Sequence, residues 1–168
     1  KFIIKKISFM ETKICNNSLN IIWRDEDFLI ADKPHNVLVH PSVDRNRPDM
    51  QSQIQAEFPE ARLLHRLDFG TSGILVFGFT KVAQQLFNQA DKFYLCMIKG
   101  HLASQGRIKL YLKEKQRKMQ AVRSGGKVAI TEFSTLCETL EHSLLKAQLI
   151  TGRRHQIRVS LAENKCPI

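Results

Sequence analysis

The sequence predicts an α+β fold: a mixed, mainly antiparallel β-sheet with short helices on its faces. Three observations carry that expectation. Strand-like runs outnumber helical ones. Short polar or glycine-rich turns separate them. The run Gly73-Ile74-Leu75-Val76-Phe77-Gly78-Phe79 is apolar without a break, the pattern of a strand covered on both faces.

The elements follow in chain order. Ile21 to Trp23 and Phe28 to Asp32 flank the polar turn Arg24-Asp25-Glu26-Asp27 and read as a hairpin, closed by Lys33-Pro34 because proline removes a ladder donor. Val37 to His40 predicts a further strand before Pro41, Ser42 to Asp49 a loop, and Met50 to Glu57 a short helix ended before Pro59. Gly73 to Phe79 is expected to be central in the sheet, after which Thr80 caps an amphipathic helix over Lys81 to Gln89. Phe93 to Ile98, Gly106 to Leu112, Val128 to Glu138 and Leu144 to Ile150 carry β-branched or alternating patterns, with turns at Gly125-Gly126 and Glu141-His142. Thr151-Gly152 breaks the last run, and His155 to Glu163 fits a final short helix only loosely.

With 168 residues, 43% of them hydrophobic and 25% charged, the chain has the balance of a globular domain, which excludes disordered, collagenous and coiled-coil classes. No repeat, low-complexity linker or composition shift marks a second domain. Residues 1–20 are expected to form an N-terminal arm or added strand, and residues 21–168 the main domain. Cys15, Cys96, Cys137 and Cys166 lie far apart with no CxxC pair, which signals neither a zinc site nor a disulfide framework and suits a reducing compartment. Lys5 and Lys6 interrupt the apolar stretch from Lys1 to Met10, so neither a signal peptide nor a membrane span is read there. Lys and Arg number 26 against 16 Asp and Glu, a net charge of +10 that suits a polyanionic partner without naming one.

Two segments could carry chemistry. Leu63-Leu64-His65-Arg66-Leu67-Asp68-Phe69-Gly70-Thr71-Ser72-Gly73 sets a cation, a carboxylate and two hydroxyls on a glycine-containing loop between apolar runs, where a rigid sheet would present them to a ligand. Composition alone favours the blander reading, a solvated Asp68–Arg66 pair with Gly70 and Gly73 serving only the turn. Thr151-Gly152-Arg153-Arg154-His155-Gln156-Ile157-Arg158 is either a phosphate-gripping edge, a source of counter-charge for a buried acid, or a solvated basic face.

Taken together these pieces resemble the RluA-type pseudouridine synthases, which convert uridines in ribosomal or transfer RNA to their carbon-linked isomer. The resemblance runs through Asp25-Glu26-Asp27-Phe28-Leu29-Ile30-Ala31-Asp32-Lys33-Pro34 with Leu38-Val39-His40-Pro41, then His65-Arg66-Leu67-Asp68 with Thr71-Ser72-Gly73. It continues through Lys92-Phe93-Tyr94 to Gly100, Arg117-Lys118-Met119, Gly126 to Thr131, and Thr151 to Arg158, all in the family's order. It implies a pseudouridine-synthase-like catalytic domain that stops before the family's closing strands, and an RNA uridine isomerase that needs no cofactor and no metal.

The resemblance also implies roles. Asp68 is the nucleophile or base at the ribose, Arg158 its counter-charge, and Tyr94 the residue against the uracil ring and a candidate for removing the proton from the newly linked carbon. Arg66 grips the target strand or fills the gap left by the flipped base, and His65, Thr71, Arg153, His155 and Gln156 line the substrate. Lys113, Lys115, Arg117, Lys118, Arg123 and Lys127 surround an expected loop from Leu112 to Val128 and are the proposed RNA-embracing arm, a solvated hairpin being nearly as good a reading. The implied partner is RNA, ribosomal before transfer RNA, for a cytoplasmic monomer with no membrane contact. His35-Asn36 depart from the family's small residue and glycine, which Asn tolerates in a left-handed turn. Ser160 replaces a common histidine, and Lys165-Cys166 precede Pro167 where glycine is common. A noncatalytic RNA-binding protein of the same fold is the alternative, and a small-glycoside hydrolase ranks third because no second carboxylate is signalled.

Overall fold

In the computed structural model, which describes residues 19–44, 47–116 and 118–168, the chain divides into two units, Lys1–Gln84 and Gln85–Ile168. The N-terminal unit is built on a four-stranded sheet of β1 (Asn20–Arg24), β2 (Phe28–Lys33), β3 (Arg62–Leu63) and β4 (Gly73–Gly78), ordered β1-β2-β4-β3, with helix α1 (Met50–Glu57). The β1–β2 hairpin forms where the sequence places it. The Asp25 carboxylate accepts the Asp27 and Phe28 backbone N–H groups at 2.8 and 2.7 Å and so supplies the turn. The apolar run becomes β4, an interior strand with Leu75 and Phe77 fully buried.

Val37 to His40 is not a strand. Leu38 makes an isolated parallel bridge to Asp49, and the Leu38 and Val39 carbonyls accept the N–H groups of Met50 and Gln51 at 2.9 and 3.1 Å. These are first-turn donors of α1 that have no partner inside the helix, so the extended segment caps a helix instead of joining a ladder. The Asp49 side chain completes the cap by accepting the Ser52 N–H at 2.8 Å.

Helix α2 (Lys81–Gln89) starts as expected. Thr80 Oγ1 accepts the Ala83 N–H at 3.0 Å and donates to Asp27 at 2.6 Å, which ties the helix start to the hairpin turn.

The C-terminal unit is a five-stranded sheet of β5 (Phe93–Lys99), β6 (Gln105–Lys115), β7 (Lys118–Ala121), β8 (Lys127–Glu138) and β9 (His142–Leu149), ordered β5-β9-β8-β6-β7, with helix α3 (Gln156–Glu163). Every named strand pair in both sheets is antiparallel. The one sheet anticipated from the sequence is therefore two, within the expected α+β class. Alternation turns Cys96, Ile98, Ile108, Leu145 and Ala147 to one face, where they form a core with Leu161 of α3 and Cys166.

The loop expected from Leu112 to Val128 is largely strand. Leu110 and Leu112 alternate with Lys109 and Lys113, and that half-wet pattern carries β6 on to Lys115 before the chain returns as β7 through Gln116 at φ 49°. Arg117 lies outside the described residues, as do residues 1–18, which hold nearly all of the expected N-terminal arm.

Candidate active site

The segment carrying Asp68 is held at both ends within the N-terminal unit. Beyond β3, the Leu64 N–H donates to the Val76 carbonyl at 3.0 Å and the Val76 N–H donates to His65 Nε2 at 3.2 Å, so an imidazole nitrogen continues the pairing with β4. Leu67 is buried and anchors the loop, Asp68 and Thr71 are half-buried, and Arg66 is exposed. The Thr71 N–H donates to the Asp68 carbonyl at 3.0 Å and closes a turn, and Gly73 leaves it at φ 123°, a conformation that L side chains rarely adopt.

The second support is Lys33, at the end of β2. Its side chain is completely buried, and Nζ donates to the carbonyls of Pro34 and Val37 at 2.8 Å each and of Phe69 at 3.2 Å. The Phe69 carbonyl also accepts the Asn36 N–H at 2.8 Å, and Asn36 takes the left-handed conformation at φ 60°, as its residue type allows. An ammonium thus clamps the Lys-Pro turn to the residue after Asp68. Burial pushes the Lys33 pKa below its ordinary value, and the Asp68 carboxylate pulls it partly back. Sequence reasoning gave Lys33 no role. The available signal was its phase, since Leu29, Ala31 and Lys33 share the buried face of a strand that otherwise alternates apolar and wet.

In the C-terminal unit Tyr94 lies on β5, half-buried, and packs against the sheet core together with Ile157 of α3. Arg158 follows Ile157 and is exposed. His155 opens the helix at φ 53° and is half-buried.

Gln156 is turned into the unit. Its amide is 2% exposed: Oε1 accepts from Thr151 Oγ1 at 2.8 Å and the Arg153 N–H at 3.0 Å, and Nε2 donates to the Ile130 carbonyl at 2.9 Å and Thr131 Oγ1 at 3.0 Å. All four hydrogen bonds open to an amide are made inside the unit, so Gln156 shapes the 151–155 loop. Arg153 stays exposed, its Nε donating to the Val128 carbonyl at 3.0 Å.

The basic side chains expected to act as one arm are divided by the pleat. Residues paired across an antiparallel ladder share a face, and neighbours along a strand do not. Lys113 and Lys115 of β6 and Lys118 of β7 therefore take one face, while Lys127, paired with the buried Leu112, takes the other. Arg123 is exposed in the turn before β8. Among the described residues no three His, Cys, Asp or Glu side chains gather as metal ligands, and no helix is long and apolar enough to cross a membrane.

Residues 27–163 match the family model described as RNA pseudouridylate synthase. The chain belongs to this family. It is 32% identical to the ribosomal large subunit pseudouridine synthase D of Xanthomonas campestris pv. campestris, over 89% of this chain and 50% of that protein. It is 31% identical to the dual-specificity RNA pseudouridine synthase RluA of Yersinia pestis, over 88% of this chain and 78% of that one. Among solved structures it resembles the human RNA pseudouridylate synthase domain containing 1, with a TM-score of 0.73, 28% identity, and coverage of 94% of this chain and 69% of that one. The chain spans about half the length of the synthase D relative. The matched family region contains Asp68, Tyr94 and Arg158.

Proposed function

We propose that this chain isomerises uridine to pseudouridine in structured RNA, ribosomal RNA before transfer RNA, as a cytoplasmic enzyme that works as a monomer. The observation that carries the proposal is the family match over residues 27–163 together with an aspartate on a loop that a buried lysine fixes from behind. The printed names of the synthase D relatives, which refer to the large ribosomal subunit, support ribosomal RNA.

Asp68 acts at the ribose as the bond from its anomeric carbon to uracil N1 breaks. The freed uracil turns, its C5 bonds to the same sugar carbon, the C5 proton is lost by way of its acceptor to water, and N1, which gave up the sugar, takes a proton from water. Tyr94, against the uracil ring, is the proposed acceptor of that proton, and Arg158 keeps the acid ionised. Arg66, exposed on the Asp68 loop, grips the strand from which the base is turned out, which costs a few kcal/mol and favours loops and bulges as targets. His65, Thr71, Arg153 and His155 complete the substrate contacts.

RNA labelled with tritium at uridine C5 tests this. The expected result is release of label to water by the native chain and none by Asp68→Asn. Release at full rate by the variant refutes the role of Asp68, and binding without release identifies a noncatalytic RNA-binding protein.

A further inference from the structure

A concave feature lies in the C-terminal unit. A basin of about 400 Å³ is lined by Leu112 and Glu114 of β6, Met119 of β7, the Gly125 turn, Lys127 and the loop Gly152-Arg153-Arg154. Leu112, 2% exposed, is its apolar floor. Lys113 also borders it, although the pleat turns that side chain to the opposite face.

The charges are unevenly matched. Arg154 Nη1 donates to the Glu114 carboxylate at 2.7 Å, so the basin's one acid is neutralised by one of its cations. Lys127 makes no ion pair among the described residues. Arg153 uses only Nε on a carbonyl, so both of its terminal nitrogens are available. Two uncompensated cations on one wall of a concave surface suit a single anionic group with several acceptor oxygens, and the guanidinium fork matches that geometry. Backbone geometry holds the basin open. A Cβ at Gly126 would stand 3.0 Å from both the N and O of Leu112 and 2.7 Å from the Val122 side chain, so glycine is what lets the turn fold this tightly against β6.

We propose that this basin seats one backbone phosphate of the RNA, held by Lys127 and Arg153, with Glu114 restraining Arg154 and so limiting the grip on unspecific RNA. The proposal rests on the RNA substrate proposed above and adds to it the groups of the C-terminal unit that hold the strand by its backbone. Glu114 is the informative residue. Neutralising its carboxylate releases the Arg154 guanidinium and removes a charge that repels phosphate.

Filter binding of a single-stranded uridine dodecamer across a salt series tests this, using the full chain, with thermal melting to establish folding. Lys127→Gln and Arg153→Gln are each expected to weaken binding about fivefold and to reduce the salt slope by about 0.7, one phosphate contact on a single strand. Glu114→Gln is expected to tighten binding about twofold to threefold by releasing Arg154. Lys109→Gln, which removes the same charge from the other face of β6, is the control and is expected to change the slope least.

Lys127 donates no hydrogen bond within the described residues, so its variant separates binding from folding even if Arg153→Gln unfolds. Equal slopes for Lys127→Gln and Lys109→Gln overturn the proposal, as does unchanged or weaker binding by Glu114→Gln. Competition by polyglutamate as strong as that by RNA also overturns it, in favour of an acidic protein partner. Tritium release is read separately. Binding that depends on the basin without any release sinks only the isomerase reading, and release indifferent to the basin variants sinks only the basin.

Discussion

Lys33 and Lys127 carry the same charge in opposite ways. Lys33 is wholly enclosed and its ammonium holds three carbonyls, whereas Lys127 stands in water with no partner among the described residues. A buried ammonium is tolerable only where hydrogen bonds replace its hydration, so Lys33 can serve only as an internal fastener. An exposed one keeps its hydration until a polyanion displaces it, so it suits transient recognition. A net charge of +10 is therefore no measure of the surface open to a polyanion, because a cation such as Lys33 is building material.

The sharpest test of that contrast is Lys33→Met, which fills the space, takes the ammonium donor from the Pro34 and Val37 carbonyls and leaves the Phe69 carbonyl with the Asn36 N–H alone. A loss on the order of 3 kcal/mol or more is expected in denaturant titration, together with loss of tritium release, because the residue after Asp68 comes free. Gln156→Leu follows, at about 2 kcal/mol, since it removes both bonds that shape the Thr151–Arg153 turn and the amide donor to the Ile130 carbonyl and Thr131 Oγ1. Gly126→Ala should cost about 1 to 2 kcal/mol through the close approach to Leu112. Lys127→Gln should change stability by no more than about 0.5 kcal/mol while weakening RNA binding, and an equal stability loss at Lys127 and Lys33 would erase the distinction.

The smallest effect is in pH. The lowered Lys33 pKa means that the native state binds fewer protons than the unfolded state between that value and 10.5. The corresponding stabilisation is full above 10.5 and is lost as pH falls through the native value. Unfolding free energies of the native chain should therefore rise more steeply with alkaline pH than those of Lys33→Met, and parallel curves would contradict the burial of the ammonium.

Much of this was legible from local pattern. The β4 run, the Asp25 turn, the Thr80 cap and the left-handed Asn36 each follow from residue type at one place, and each is where the sequence puts it. The failures are non-local. Val37 to His40 has strand composition, but its carbonyls go to the start of α1, which no local pattern announces. The extension of β6 and the return strand β7 hid behind lysines, whose alternation with leucine outweighs their low strand propensity. Gln156 sits among arginines in the sequence, which says nothing of its burial, because burial is a property of the folded sheet beneath it. Asp68 stood out in the sequence through its motif, whereas the lysine that fixes its loop lies far upstream in the chain and needed the fold to be seen.

The pleat that separates Lys113 and Lys115 from Lys127 has an evolutionary corollary. Because neighbouring positions on β6 and β7 look out of opposite sides, either side can gain or shed cations one codon at a time without disturbing the other. A single-residue insertion in β6 upstream of the hairpin would do the reverse, exchanging Glu114 for its lysine neighbours in one event and leaving the concavity with cations alone. Descendants of this chain are thus free to drift in the charge of either side by substitution, but an indel there is a leap.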